Sequence, residues 1–397
     1  MRNVYGVIAL CSLATFFDGY DIQALGLAIP GIAEDYGVEP HSLTIAVSAS
    51  LVGTALGAAL LGPLGDRYER KHMLAAFLLL VGLTSVGVSL SHGTTPLAAW
   101  RFACGLGMGA IVPIAIAIVS EVAPPSKRTA LITAMIACQP LGSLCAGFLS
   151  AAIEPVWGWR GIFGAGAITT LGAGVLVSLV MPRFSDASRS VDSSARTASL
   201  RALFTPDFRA VTLLIWATFC LNLFVAASMI SWLPTLLGEA GWERGDAQRA
   251  TGLLALGAMG GSVFFAWLID RGLVARSLVT CFIATAALFT LFAVGPASRG
   301  FWLVLITLVG AGAIGGQMAL GSFTANIYPN AIRATGIGWS SGVGRFGSII
   351  GPIVMAAMLA AHAQPTMILA LLMVPMLLCA LGVFLLIQRA GVLKCVG

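Results

Sequence analysis

The chain has 397 residues, 58% of them hydrophobic and only 10% charged, with a mean hydropathy of +0.95. That composition excludes an ordinary soluble domain and marks an integral membrane protein; the 47 glycines fit, because small residues let lipid-embedded helices approach closely. The net charge of +6 does not point to nucleic acid, because the charges are gathered in short loops.

Apolar runs of about twenty residues, enough to span a bilayer, lie at 4–30, 42–64, 72–91, 96–120, 129–153, 161–181, 210–236, 249–269, 277–295, 300–327, 334–361 and 365–388. They predict an all-α integral membrane protein with twelve transmembrane helices. Arg2 precedes the first run, but two aspartates follow and no small-x-small cleavage site is present, so this run is expected to be a helix and not a cleaved signal. Between the sixth and seventh runs lies RFSDASRSVDSSARTASLRALFTPDFR, a serine- and arginine-rich stretch with the composition of a flexible linker. The expected organisation is an N-terminal six-helix bundle at 1–182, a cytoplasmic linker at 183–209 and a C-terminal six-helix bundle at 210–397.

Loop charge sets the orientation. With a cytoplasmic N-terminus, most of the 22 lysines and arginines fall inside, among them Arg67, Arg70, Lys71, Lys127, Arg128 and Arg333. The outer loops then carry Glu34, Asp35, Glu39, Glu154 and Glu239. Both termini are therefore expected in the cytoplasm.

The halves repeat each other. GPLGDRYERK at 62–71 and AWLIDRGLVAR at 266–276 place Asp66-Arg67 and Asp270-Arg271 in equivalent positions, and PLGSLCAG at 140–147 aligns with RFGSIIGP at 345–352. Duplicated six-helix units are a transporter architecture, not one expected of a membrane enzyme.

Four ionisable residues remain well inside helices: Asp18, Asp21, Arg101 and Arg345. Such residues are costly in hydrocarbon and usually functional. Arginine does not deprotonate in proteins, so each buried guanidinium needs an anion, from the protein or from a substrate. Asp18 and Asp21, at i and i+3, share one face of the first helix. Desolvation and mutual repulsion penalise two adjacent charges, which suits the pair to hold one proton near neutral pH; the plainer alternative is that both aspartates fix helix packing. Arg345, near the middle of the eleventh helix, suits either an internal ion pair or a bidentate grip on a carboxylate. Arg101 lies nearer the outer end of the fourth helix, where it is placed to snorkel, pair with an aspartate or meet the same anion. Gln139 and Gln317 are placed either to bind substrate hydroxyls or to bond between helices, and Tyr20 and Trp339 either to stack on a ring or to pack.

All four histidines lie at loop edges, leaving membrane proton chemistry to carboxylates, and the eight cysteines form no metal-binding spacing, so no metal or cofactor is expected. Gly342-Val-Gly344-Arg-Phe-Gly347 and Gly338-Trp-Ser340-Ser-Gly342 match nucleotide-binding and nucleophile-elbow patterns, but both chemistries need a preceding strand that a membrane helix does not offer.

The motif Gly62-x-x-x-Asp66-Arg67-x-x-Arg70-Lys71 resembles the loop signature of the major facilitator superfamily, and Arg101-Phe-Ala-Cys-Gly-Leu-Gly-Met-Gly resembles a second signature of that group. Asp18-Gly-Tyr-Asp21 together with RATGIGWSSGVGRFGSIIGP at 333–352 is similar to the aromatic acid/proton symporter family within it. Two departures stand out: Glu69 replaces the usual loop glycine, and Ala266 replaces glycine in the second copy.

The resemblance implies the major facilitator fold of two pseudo-symmetric six-helix bundles. It also implies import of an aromatic carboxylate (benzoate, hydroxybenzoate, protocatechuate or hydroxyphenylpropionate) with a proton across a bacterial inner membrane. Asp18 and Asp21 would carry the proton, and Arg345 would bind substrate with Arg101, Gln139, Gln317, Tyr20 and Trp339. Asp66, Arg67, Arg70 and Lys71, with Asp270 and Arg271, would latch the cytoplasmic side. The partners implied are the small acid, protons and lipid, with the protein working as a monomer. The alternatives are a carrier of another organic anion, a drug exporter, or a non-transporting sensor, the last disfavoured because no polar segment beyond 183–209 is long enough to be a signalling domain.

Overall fold

The first run is expected to end near Pro30, yet its helix continues to Tyr36 in a computed structural model that describes residues 4–183, 202–206, 208–271, 273–295 and 298–396. Proline removes only one backbone donor, and burial of Ile32 and Ala33 beyond it favours continuation. Most of the linker expected at 183–209 lies outside the described residues, as do the side chains of Asp66, Arg67 and Asp270.

Among the described residues the regular structure is helical throughout. In chain order the helices are α1 (Val4–Tyr36), α2 (Thr44–Leu56, running on through a π-helical turn at Gly57–Leu61), α3 (Arg70–Ser89) and α4 (Thr94–Val122). A short helix at Arg128–Ile136 leads into Cys138–Val180, which is broken at Gly158 into α5 (138–157) and α6 (159–180). Then come α7 (Arg209–Glu239), α8 (Arg244–Asp270) and α9 (Val274–Val294). α10 consists of Arg299–Val309, a π segment at Gly310–Gly315 and Gly316–Ile327; α11 is Asn330–Ala360; and α12 (Met373–Val396) follows a short helix at Pro365–Leu371.

Ten described stretches are long and apolar enough to cross a membrane, one of them the 53-residue stretch Arg128–Val180 that holds both α5 and α6. α1 is not among the ten, because Asp18, Asp21 and Gln23 lower its hydropathy. The break between α5 and α6 rests on Gly158, whose φ of 64° is a left-handed conformation that a Cβ would strain.

Close contacts divide the chain into two compact units, one of Met1–Arg189 with Ile230–Gly252, the other of Ser190–Met229 with Leu253–Gly397. In the first unit α1 lies along α5 and α6, α2 along α4, and α3 against α4 and its neighbours α5 and α6. Val7, Cys11 and Ala14 of α1 pack with Leu74 and Leu78 of α3 and with Ile111 and Ile118 of α4. Lipid tails are as apolar as these side chains, so tight packing and interhelical hydrogen bonds hold the unit, not escape from water.

The α1–α5 crossing shows how close that packing is. A Cβ on Gly19 would overlap the Gln139 carbonyl, and one on Gly142 would overlap the Phe16 carbonyl. Hydroxyls clamp α1 here: Ser143 Oγ of α5 donates to the Gly19 carbonyl at 2.8 Å, and Thr15 Oγ1 donates to the Met135 carbonyl of the short helix before α5 at 2.8 Å. Gly19→Ala is expected to cost about 1–3 kcal/mol by forcing these helices apart. Gly164→Ala, where nothing lies within 4 Å of the new methyl group, is expected to be neutral. Thermal unfolding of both variants in detergent checks the difference.

In the second unit α9 packs along α12, and the Tyr328 hydroxyl donates to Thr212 Oγ1 at 2.9 Å. The π segment of α10 is met by Asn222 of α7, whose side-chain amide donates to the Ala313 carbonyl at 2.9 Å. Val156, Ile168 and Leu179 on α5 and α6 are largely exposed, as lipid-facing positions require.

Candidate functional site

Arg101 of α4 is 1% exposed, so its charge has to be answered inside the protein. One terminal nitrogen of its guanidinium donates to Asp21 Oδ2 of α1 at 2.9 Å, and the other donates to Ser50 Oγ of α2 at 3.0 Å. Ser85 of α3 donates its hydroxyl to the second oxygen of Asp21 at 3.2 Å. The Cys104 thiol lies 3.4 Å from Asp21 Oδ2, and the Phe163 ring of α6 sits 5.7 Å from the guanidinium carbon. Four helices, α1 to α4, thus converge on one desolvated ion pair. Each added hydrogen bond offsets part of the cost of burying two charges.

Asp18, one turn earlier on α1, is also buried but faces α5, where the Gln139 side-chain amide donates to its Oδ2 at 2.6 Å. Tyr20 is buried, with its hydroxyl donating to the Ile162 carbonyl at 2.9 Å. Gln23 donates to the Ile230 carbonyl at 3.2 Å. The face of α1 that the sequence marks as polar is therefore bonded to α3, α4, α5, α6 and the C-terminal part of α7.

The remaining expected substrate residues lie in the second unit. Arg345 is half-buried at the middle of α11. Trp339, on the same helix, is exposed and stacks on Trp216 of α7 with ring centroids 6.1 Å apart and planes at 22°. Gln317 is half-buried and lies two residues beyond the π segment of α10. Of the expected latch, Arg70 pairs with Glu121 at the end of α4 at 2.9 Å, Lys71 is buried, and Arg271 stacks over Trp267 at 3.8 Å.

Several partners escaped sequence reasoning. Ser50, Ser85 and Cys104 are ordinary small residues in apolar runs, and nothing in their spacing marks them. Glu154 did carry a signal, a carboxylate set in the apolar stretch Ala-Ala-Ile-Glu154-Pro155-Val-Trp. The sequence places it in an outer loop; the structure buries it at 7% exposure on α5.

The family profile described as Major Facilitator Superfamily matches residues 11–352. The chain belongs to the major facilitator superfamily. The 4-hydroxybenzoate transporter PcaK of Pseudomonas aeruginosa is 32% identical to this transporter, over 96% of the present chain and 91% of that protein. The 3-(3-hydroxy-phenyl)propionate transporter of Escherichia coli is also 32% identical, over 96% and 94%. The crystal structure of the nucleoside transporter NupG superposes with a TM-score of 0.80 at 13% identity, covering 96% of this chain and 99% of that one, a likeness of fold alone. The all-helical, multi-pass architecture expected from the apolar runs is thus the facilitator fold.

Proposed function

We propose that this transporter imports an aromatic carboxylate together with a proton across a bacterial inner membrane by alternating access, as a monomer with both termini cytoplasmic. The substrate class is carried over from the relatives, which are named for 4-hydroxybenzoate and 3-(3-hydroxy-phenyl)propionate. The observation that supports proton coupling is the buried centre of the first unit, where two acids of α1 stand with the single buried arginine of α4. Two carboxylates beside one guanidinium in a desolvated centre make protonation of one of them favourable.

In this reading Asp21 and Asp18 share the proton. Protonation of Asp21 weakens its hold on Arg101, and the guanidinium becomes available to an incoming carboxylate. Arg345 grips the substrate carboxylate, while Gln139, Gln317, Tyr20 and Trp339 serve its ring and hydroxyl groups. Arg70, Lys71, Asp66 and Arg67, with Asp270 and Arg271, latch the cytoplasmic side, and the pair of Arg70 with Glu121 adds Glu121 to that set. Six-helix halves at 1–182 and 210–397, joined by the linker 183–209, are the moving bodies.

Proteoliposomes with an alkaline interior test the proposal. Labelled 4-hydroxybenzoate should accumulate above its external concentration, a protonophore should abolish the accumulation, and 3-(3-hydroxyphenyl)propionate should compete. Accumulation that survives the protonophore removes proton coupling. Failure of aromatic acids to compete removes the substrate class and favours another organic anion.

A further inference from the structure

At the end of α1 opposite the N-terminus, a second buried carboxylate takes no part in the centre just described. Glu154 of α5 is 7% exposed. The start of α8 closes over it: Arg244 donates to Glu154 Oε1 at 3.3 Å and to Glu34 Oε2 of α1 at 2.6 Å. Gln248, 1% exposed, donates its side-chain amide to Glu154 Oε2 and, at 3.4 Å, to the Leu27 carbonyl of α1. A Cβ on Gly31 would press against Glu154 Oε1, so the carboxylate is seated directly on α1. These contacts agree with the grouping of Ile230–Gly252, the end of α7 and the start of α8, with the N-terminal helices.

We propose that Glu154 is a second proton-binding site, and that its protonation loosens the start of α8 from α1 and α5. Two carboxylates share one arginine, so the cluster of Glu34, Glu154 and Arg244 carries a net negative charge. Arg244 is half-exposed and sits nearer to solvent-facing Glu34, leaving the buried acid with the longer contact. A buried carboxylate with the weaker share of its counter-charge gains from taking a proton. A place for that proton already exists: Gln248 Oε1 is buried without a donor, and a rotated Glu154 carboxyl group is able to donate to it. The tie between α5 and α8 then falls from a charge-assisted hydrogen bond to a neutral one.

Two of the other carboxylates nearby are paired. Asp35 of α1 accepts from Arg160 of α6 at 2.7 Å and from the Trp159 indole at 3.3 Å, and Asp246 of α8 pairs with Arg249 at 3.0 Å. Glu239, at the end of α7, lines the neighbouring cavity with Glu34 and Glu39. The cluster is local to the first unit and independent of substrate identity.

Hydrogen exchange of the full-length protein in detergent micelles, followed by mass spectrometry over peptides from 230–252, provides the test. Wild type and Glu154→Gln are compared at the same pH, so intrinsic exchange rates cancel. At about pH 7.5 the variant should exchange about tenfold faster or more, as the loss of one charge-assisted hydrogen bond implies, and the ratio should fall when the pH is lowered to about 5.5. Arg244→Gln, which leaves the carboxyl in place, should exchange fast at both values and serves if Glu154→Gln does not fold. A ratio of variant to wild type that is the same at both pH values would show a packing role and overturn the proposal. Because the measurement involves no transport, failure of the import reading leaves its outcome intact.

Discussion

Asp21→Asn is expected to abolish concentration of substrate against its gradient while leaving substrate binding in detergent measurable. The amide exchanges no proton, so the cycle loses its coupling ion. It still presents an oxygen to Arg101, and Ser85 is still within reach, so the four-helix junction keeps most of its geometry. What it loses is the negative charge, and a buried guanidinium without an anion costs about 3–5 kcal/mol. The variant should accordingly melt earlier than wild type, and its yield has to be matched before uptake is compared. Counterflow at equal pH on both sides separates the two effects, because exchange of substrate needs no net proton movement. Concentrative uptake by a folded Asp21→Asn would remove Asp21 from the proton path and leave Asp18, with its Gln139 contact, to carry it alone.

Arg345→Lys is expected to weaken binding of 4-hydroxybenzoate about ten- to a hundred-fold with net charge unchanged. A guanidinium grips a carboxylate with two parallel hydrogen bonds in one plane, and an ammonium group does not reproduce that fork. Losing one charge-assisted hydrogen bond is worth about 1.5–3 kcal/mol, which converts to that range of affinity. The amide of the same acid should bind poorly to the native protein. Calorimetry with acid and amide, at a pH where the acid is ionised, reads both effects. Equal affinity for the two ligands, with no change on substitution to lysine, would assign Arg345 to helix pairing.

The fold was legible in the sequence because the bilayer sets the length of every spanning run. The misjudged boundaries are those where a local rule did not hold. Pro30 does not end α1, and residues 154–157 are helix, not loop, up to Gly158. The buried charges were legible, since Asp18, Asp21 and Arg101 stand out against apolar neighbours and are all buried. Which acid meets which base was not legible. The i, i+3 spacing puts both aspartates on one face, yet the position of α4 directs Arg101 to Asp21 and that of α5 directs Gln139 to Asp18. Ser50 and Ser85 gain their roles only through the packing of α2 and α3 on the same point.

The π segment at Gly310–Gly315 gives α10 an unusual relation to insertion and deletion. Such a segment holds one residue more than the α-helix it replaces. Removing one residue there, Ala311 for example, would let the helix run through as continuous α, and each residue advances an α-helix by about 100°. Because the π turn already takes up the extra residue, the arm from Gly316 to Ile327 would keep its facing, whereas the same deletion in an unbroken α-helix would rotate everything beyond it. Gln317 would keep its side of the helix, and the change would be confined to the turn whose Ala313 carbonyl Asn222 now meets. A single codon whose loss would displace a whole helix face elsewhere is thus absorbed here.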